Sequence, residues 1–132
     1  MILQVGVKIL LQNNEGKYLL VCRSAEKYPE VGAEWDIVGG RIDPGTTLFD
    51  NLKREVKEET GLEIEGEPQL ISAQDILRIE GKHVIRLTYK GFARGEVILS
   101  DEHEKFRWFT IEEIKNLEPI DIYLKEVLNT FI

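Results

Sequence analysis

The pattern of apolar and polar residues predicts strands at the start of the chain. Two apolar segments rich in β-branched residues, "LQVGVKILL" and "YLLVCRS", flank the turn "NNEGK" and predict a β-hairpin over residues 3–23. Residues 24–34 are polar and predict a loop. "WDIV" then predicts a short strand that runs into Gly39 and Gly40. The first part of the chain is therefore expected to form sheet, not helix.

The strongest helical pattern extends from about Leu48 to Thr60. Thr47 precedes it as a candidate N-cap, and Asp50 follows three residues later as a weak capping-box partner. Gly61 is placed to end the helix in a left-handed conformation. Both ends of this helix are therefore marked in the sequence.

After this helix, the pattern predicts further strands and then two helices. The strand segments are "PQLISAQDIL", "HVIRLTYKGFA", "EVILS" and "KFRWFT". The helical segments are "IEEIKNL" and the amphipathic "IDIYLKEVLNTFI". This order predicts an α/β (α+β) fold with a mixed β-sheet flanked by helices, in a single domain spanning residues 1–132.

Composition narrows the class of protein. The chain has 132 residues, 42% of them hydrophobic, which suffices for one core, and its single cysteine, Cys22, excludes a disulfide scaffold. No apolar segment approaches the roughly 20 residues of a membrane span. The N-terminal segment lacks the features of a signal peptide. We therefore expect a cytoplasmic protein that has no membrane partner.

The net charge of −7 argues against nucleic acid as a partner, because a basic surface is missing. An anionic ligand would need positive charge supplied locally. A bound divalent cation is the simplest source of that charge.

Three glutamates gather on one face of the predicted helix. At roughly 100° per residue, Glu55, Glu58 and Glu59 lie in one narrow arc beside the apolar stripe. Like charges at this spacing repel, and carboxylates beside a core lose solvation, so helix stability does not require them. Clustered oxygens suit Mg²⁺, and Gly40 allows a backbone carbonyl to join them. The alternative is an ordinary solvated acidic face.

The segment from Gly40 to Leu62 resembles the Nudix box. That motif has a glycine, five residues, a glutamate, seven residues, Arg-Glu, an aliphatic residue, any residue, Glu-Glu, any residue, a glycine and an aliphatic residue. Here the segment reads Gly40, "RIDPG", Thr46, "TLFDNLK" and "REVKEETGL". Every spacing fits, and Thr46 stands where the family has glutamate. The predicted order of elements also resembles the Nudix α/β/α sandwich.

The resemblance implies an enzyme that hydrolyses a diphosphate bond in a nucleoside diphosphate derivative. It implies Mg²⁺ as cofactor, with Mn²⁺ as a substitute. Glu58, Glu59 and the Gly40 carbonyl are implied as metal ligands. Glu55 is implied as a further ligand or as the base that takes a proton from the attacking water. Arg54 is implied to orient a box glutamate, so Arg54, Glu55 and Glu58 are the implied catalytic residues.

Many Nudix enzymes take one more metal ligand from a loop after the box. In "SDEHEKFRW", Glu102 is the first candidate by this resemblance and Glu104 the second. His103 is expected to be an ordinary loop residue, since hard cations prefer oxygen. An ordinary polar loop is the alternative for the whole segment.

Residues that contact the substrate are less clearly marked. Arg23, at the end of the second strand, resembles a phosphate-contacting arginine of nucleoside triphosphate hydrolases. Arg41 in the box is a second candidate, and Tyr28 is a candidate for stacking on a base. The expected substrate is a nucleoside or deoxynucleoside triphosphate, and a nucleotide sugar or ADP-ribose is the alternative.

Thr46 leaves two hypotheses open. In the first, Thr46 is tolerated, its hydroxyl helps to cap the helix, and catalysis depends on the remaining glutamates. In the second, the protein binds a nucleotide without hydrolysing it. Many Nudix proteins dimerise, and a homodimer stays open as well.

Overall fold

In the computed structural model, which describes residues 1–24, 26–27 and 34–131, a mixed β-sheet lies between helices. The strands are β1 (Ile2–Gln12), β2 (Tyr18–Arg23), β3 (Trp35–Asp36), β4 (Val38–Arg41), β5 (Glu63–Ile76), β6 (Lys82–Arg94) and β7 (His103–Phe109). The helices are α1 (Leu48–Thr60), α2 (Ile111–Lys115) and α3 (Ile122–Phe131). The sheet flanked by helices that the sequence predicts is confirmed.

Strand β1 is central to the sheet. It pairs in parallel with β6 along its whole length, and antiparallel with β4, where Lys8 lies opposite Gly39. β1 meets β2 where Gln12 lies opposite Tyr18, which confirms the predicted hairpin. β2 then pairs with β3 and β7, and β5 pairs with β6. Two of the three strands that pair with β1 therefore lie beyond the hairpin in the sequence.

Two hydrophobic clusters cover the two faces of this sheet. On one face, Leu52 and Val56 of α1 pack against strand residues. On the other face, Ile114 of α2 packs together with Leu124 and Leu128 of α3. The alternation of side chains along each strand supplies both clusters, because successive residues point to opposite faces. Helix α1 therefore packs on one face of the sheet, and helices α2 and α3 pack on the opposite face.

The ends of α1 follow the predicted capping residues. The Thr47 hydroxyl oxygen accepts a hydrogen bond of 3.1 Å from the backbone N–H of Asp50. Gly61 has a φ of +72° and donates its N–H to the carbonyl of Lys57. The cap therefore comes from Thr47, and the expectation that the Thr46 hydroxyl helps to form it is wrong.

The segment "EVILS" is not a strand, so that prediction is wrong. The backbone N–H of Ile98 donates to the carbonyl of Thr60 at 2.8 Å, and that of Ser100 donates to the carbonyl of Glu59 at 3.1 Å. These bonds satisfy carbonyls that the last turn of a helix leaves unpaired. This segment therefore forms hydrogen bonds with the last turn of α1 and does not extend the sheet.

Two expectations from composition can be compared with the structure. Cys22 lies buried in β2 and forms no disulfide. None of the helices in the described ranges is long and apolar enough to span a bilayer.

Candidate active site

Two glycines of β4 lie directly against α1. The Gly39 N–H donates to the Glu59 carboxylate at 3.1 Å. Gly39 has a φ of +147°, and a Cβ at this position would overlap the carbonyl oxygen of Val7 on β1. A Cβ on Gly40 would lie 2.8 Å from the carboxyl carbon of Glu55. The absence of a side chain at Gly40 therefore makes room for the Glu55 carboxylate, and its absence at Gly39 lets β4 lie close to β1.

The three glutamates of α1 differ in exposure. Glu59 is 4% exposed, whereas the side chains of Glu55 and Glu58 are 17% and 59% exposed. Burial raises the pKa of Glu59 to about 7; the charge of Glu55 adds to this effect and Lys8 opposes it. Burial also raises the pKa of Glu55, against the opposing charge of Arg54. Two poorly solvated carboxylates side by side favour a bound cation.

Arg54 lies among the acids of the box. One of its Nη atoms is 3.1 Å from the Asp43 carboxylate and 3.5 Å from the Glu55 carboxylate. Its other Nη atom is 3.6 Å from the Glu58 carboxylate. Arg54 is therefore within ion-pair distance of two box glutamates.

Asn51 organises this region, and the sequence analysis missed it. Its side chain is fully buried, and its Oδ1 accepts hydrogen bonds from the Asp43 N–H at 2.9 Å and from Arg54 at 3.0 Å. Its Nδ2 donates to the carbonyls of Thr46 at 3.1 Å and Thr47 at 2.8 Å. The available signal was an amide side chain on the apolar side of the helix, one turn before Arg54.

The structure brings Glu102 towards the glutamates of α1. Its carbonyl accepts a hydrogen bond of 2.8 Å from the N–H of Ser24. Its charge is among those that act on Glu55 and Glu59 after burial, and it helps to raise both pKa values. Glu104 lies exposed on β7. Glu102 therefore lies within electrostatic range of Glu55 and Glu59, which together with Glu58 form the acidic group.

His103 begins β7 and is 8% exposed, so the expectation that it is a loop residue is wrong. Burial lowers its pKa to about 4, and the positive charges of Arg23 and Lys8 add to the effect. Its Nδ1 has no hydrogen-bond partner within the described part of the chain. At neutral pH the ring therefore carries no charge.

Two of the three candidate substrate-binding residues, Arg23 and Arg41, lie within the described residues. Arg41 donates from Nε to the side-chain oxygen of Gln4 at 3.3 Å. Burial, together with repulsion from Arg23 and Arg86, lowers the pKa of Arg41, which places the three guanidinium groups in one region. Tyr28 lies outside the residues that the structure describes. Arg23 and Arg41 therefore lie within electrostatic range of each other, and their contact with substrate stays a prediction.

A buried ionic network beneath this region was also missed. Lys8 Nζ lies 3.4 Å from the Asp36 carboxylate and donates to the carbonyl of Ile37 at 3.2 Å. Arg86 lies 3.0 Å from the other Asp36 oxygen and 3.3 Å from Asp121, whose carboxylate caps the start of α3. The available signal was a charged residue in the middle of each of two apolar strands.

This network predicts acid-dependent stability. Burial alone would raise the pKa of Asp36, but the charges of Lys8 and Arg86 outweigh it and lower the pKa from 3.8 to about 2. A depressed carboxyl pKa contributes stability above pH 3.8 that is lost as the pH falls towards 2. We expect Asp36→Asn to reduce the free energy of unfolding at pH 7 by about 2 kcal/mol.

Urea unfolding of both proteins at several pH values measures this effect. The two free energies of unfolding should converge as the pH approaches 2. A difference that is equally large at pH 7 and pH 2 would show that the charge of Asp36 is not responsible.

The donor atoms in this region are oxygens, as a hard divalent cation prefers. Within residues 1–24, 26–27 and 34–131, no three acidic, histidine or cysteine side chains are already close enough to hold a metal ion. A cleft of about 540 Å³ lies elsewhere, at the far end of β1, and its lining includes Asn13, Phe92 and Trp108. The lining of the cleft has one acidic and one basic residue, Glu65 and Arg94, whereas several carboxylates surround Arg54 at the box.

Comparisons with known proteins bear on the family of this chain. The family model for the NUDIX domain matches residues 2–131. Nucleoside triphosphatase NudI from Enterobacter sp. (strain 638) is 30% identical over 119 residues, which cover 83% of each chain. The protein of the same name from Escherichia coli O17:K52:H18 is 30% identical over 115 residues, covering 79% of this chain and 80% of the relative.

Solved structures show the same fold. The MutT protein from Methanosarcina mazei Go1 has a TM-score of 0.86 at 29% identity, covering 98% of this chain and 92% of its own. The MutT NUDIX hydrolase from Burkholderia pseudomallei has a TM-score of 0.84 at 24% identity and full coverage of both chains. The second of these likenesses concerns the fold alone.

Proposed function

This chain belongs to the NUDIX family and is a hydrolase, and we propose that it hydrolyses nucleoside or deoxynucleoside triphosphates with the help of Mg²⁺. The observation that carries this proposal is the position of Glu55 and Glu59, which lie against the glycine backbone of β4. The relatives named nucleoside triphosphatase support the choice of substrate.

The donor set fits a divalent cation. A side chain at Gly40 would fill the space beside the Glu55 carboxylate, so the backbone there is open to a shared ligand. We propose the Gly40 carbonyl, Glu55, Glu58, Glu59 and Glu102 as ligands. When bound, Mg²⁺ would neutralise phosphate charge and acidify a water molecule. Because no three of the described ligands are already gathered, the ion and the substrate are expected to complete the group.

The side chains around the glutamates have separate roles in this proposal. Glu55, with its raised pKa, is suited to accept a proton from the attacking water when it does not serve as a ligand. Arg54 positions Glu55 and Glu58 through its ion pairs. Arg23 and Arg41 supply positive charge for the phosphates of the substrate.

Tyr28, in the segment that the structure does not describe, remains our proposal for a stacking contact with the base. We also propose that residues 1–132 act as one domain in the cytoplasm, where a lone reduced cysteine such as Cys22 is usual. Neither proposal bears on the hydrolytic chemistry. A homodimer stays a prediction, and size-exclusion chromatography with light scattering would test it.

A substrate panel tests the proposed function. The purified protein is incubated with the four common NTPs, the corresponding dNTPs, a nucleotide sugar and ADP-ribose, each with Mg²⁺, with Mn²⁺ and with EDTA. We expect turnover of at least one triphosphate that depends on the metal ion. The products are separated by ion-exchange chromatography to identify the bond that breaks.

The controls distinguish the alternatives. Turnover restricted to ADP-ribose or the nucleotide sugar would replace the proposed substrate class. Tight nucleotide binding measured by calorimetry, with no product from any compound in the panel, would contradict hydrolysis and favour a binding protein.

A further inference from the structure

Position 46 is the one place where this chain departs from the motif of its family. Thr46 lies exposed at the loop before α1, and its backbone N–H donates to the carbonyl of Asp43 at 3.1 Å. Its own carbonyl accepts from Asn51 at 3.1 Å. The loop therefore holds its shape through the backbone of residue 46, and the side chain of that residue is not required for it.

Asn51 links this loop to Arg54. Its amide nitrogen holds two loop carbonyls, and its amide oxygen accepts from both the Asp43 N–H and the Arg54 guanidinium. The same guanidinium is 3.1 Å from the Asp43 carboxylate. A hydrogen bond from a charged donor to a fully buried oxygen is strong and directional. Asn51 and Asp43 therefore hold the same Nη atom of Arg54 that lies 3.5 Å from the Glu55 carboxylate.

We propose that Asn51, together with Asp43, is a positioning element that holds Arg54 in place of the glutamate that this chain lacks at position 46. The inference rests on the proposed function, because Arg54 matters there through its ion pairs with Glu55 and Glu58. A purely structural role, in which Asn51 serves the loop carbonyls, is the competing explanation.

Two substitutions separate these explanations. Asn51→Ala removes both halves of the amide. Asn51→Asp keeps an oxygen for Arg54 and for the Asp43 N–H, but it loses the donors to the Thr46 and Thr47 carbonyls. A positioning role predicts that Asn51→Asp resembles the wild type, whereas a structural role predicts that it resembles Asn51→Ala. Asn129→Ala, at an exposed position of α3, is the control substitution.

The first measurement uses protein without metal or substrate. In ¹⁵N-labelled protein at low temperature, a guanidinium that is held in place gives separate Nη signals, and Arg54→Lys identifies those of Arg54. We expect separate signals in the wild type, in Asn51→Asp and in Asn129→Ala, and averaged signals in Asn51→Ala. Separate Arg54 signals in Asn51→Ala would overturn the proposal. This result stands whether or not the protein hydrolyses triphosphates.

The second measurement is steady-state turnover. We expect Asn51→Ala to lower kcat by about 10- to 100-fold with little change in KM, because a misplaced catalytic group affects the chemical step. Adding Thr46→Glu to Asn51→Ala should restore kcat to within about threefold of the wild type. Unchanged kcat in Asn51→Ala, failure of Thr46→Glu to restore it, or equal losses in Asn51→Ala and Asn51→Asp would overturn the proposal.

Discussion

Replacing Glu55 with glutamine is expected to lower kcat by about a thousandfold while leaving the fold intact. The Glu55 side chain lies between Gly40 and Arg54 and is 17% exposed, so an amide of the same shape fits the site. What it loses is the charge and the basicity that the proposed chemistry needs. Because burial raises the pKa of Glu55, its ionised form costs stability at neutral pH. The variant should therefore unfold at the same or a higher temperature.

Turnover by ion-exchange chromatography and thermal unfolding by circular dichroism measure the two parts of this prediction. Glu67→Gln is a matched control, because it removes one negative charge from an exposed position on β5. It should keep wild-type turnover. A Glu55→Gln protein with near-wild-type kcat would remove Glu55 from the proposed site, and a large loss of stability would assign it a structural role.

Gly39→Ala is expected to reduce the free energy of unfolding by about 4 kcal/mol or more. The added Cβ would overlap the backbone of β1 at Val7, and Gly39 has a φ of +147° that alanine rarely adopts. The backbone cannot move aside in the way that a flexible side chain does. Strands β1 and β4 would have to separate, and the hydrogen bond from Gly39 to Glu59 would be lost with them.

Gly66→Ala separates the two causes of this loss. Gly66 has a φ of +71°, and a Cβ there would meet nothing within 4 Å. The backbone strain alone should cost about 1 kcal/mol. Urea unfolding measures the loss of unfolding free energy in both variants. If Gly39→Ala does not fold, the yields of soluble protein are compared instead. Equal losses in the two variants would contradict the role assigned to the close approach of β4 to β1.

The sequence predicted the elements whose causes are local. Helix α1 begins and ends as its caps indicate, since Thr47 and Gly61 act on neighbouring backbone groups. The alternating strands form as predicted, because their period depends on adjacent residues. The strand prediction for "EVILS" was wrong. Its apolar, β-branched composition favours a strand, but its backbone N–H groups lie nearest the unpaired carbonyls of α1. That proximity is tertiary and leaves no local pattern.

The candidate site shows the same division. The glutamates were found because a spaced motif carries them, and the structure places Glu55 and Glu59 against β4. Asn51 was missed because three of its four hydrogen bonds join backbone groups of a loop, and no residue type in the sequence marks such groups. Lys8 was missed because its carboxylate partner, Asp36, lies on a different strand. A charged residue within an apolar strand indicates a buried ion pair, but the neighbouring sequence does not show which residue is its partner.

The pairing of β1 has a consequence for the protein during its synthesis. β1 leaves the ribosome before the other strands of the sheet, and its long parallel partner, β6, begins only at Lys82. Until that strand emerges, the apolar residues of β1 have the short β4 and the end of β2 as neighbours. Contacts between segments so distant in the chain form slowly, and an unpaired apolar strand is open to association with other chains. Cellular chaperones therefore have time to act on β1 before its pairing is complete.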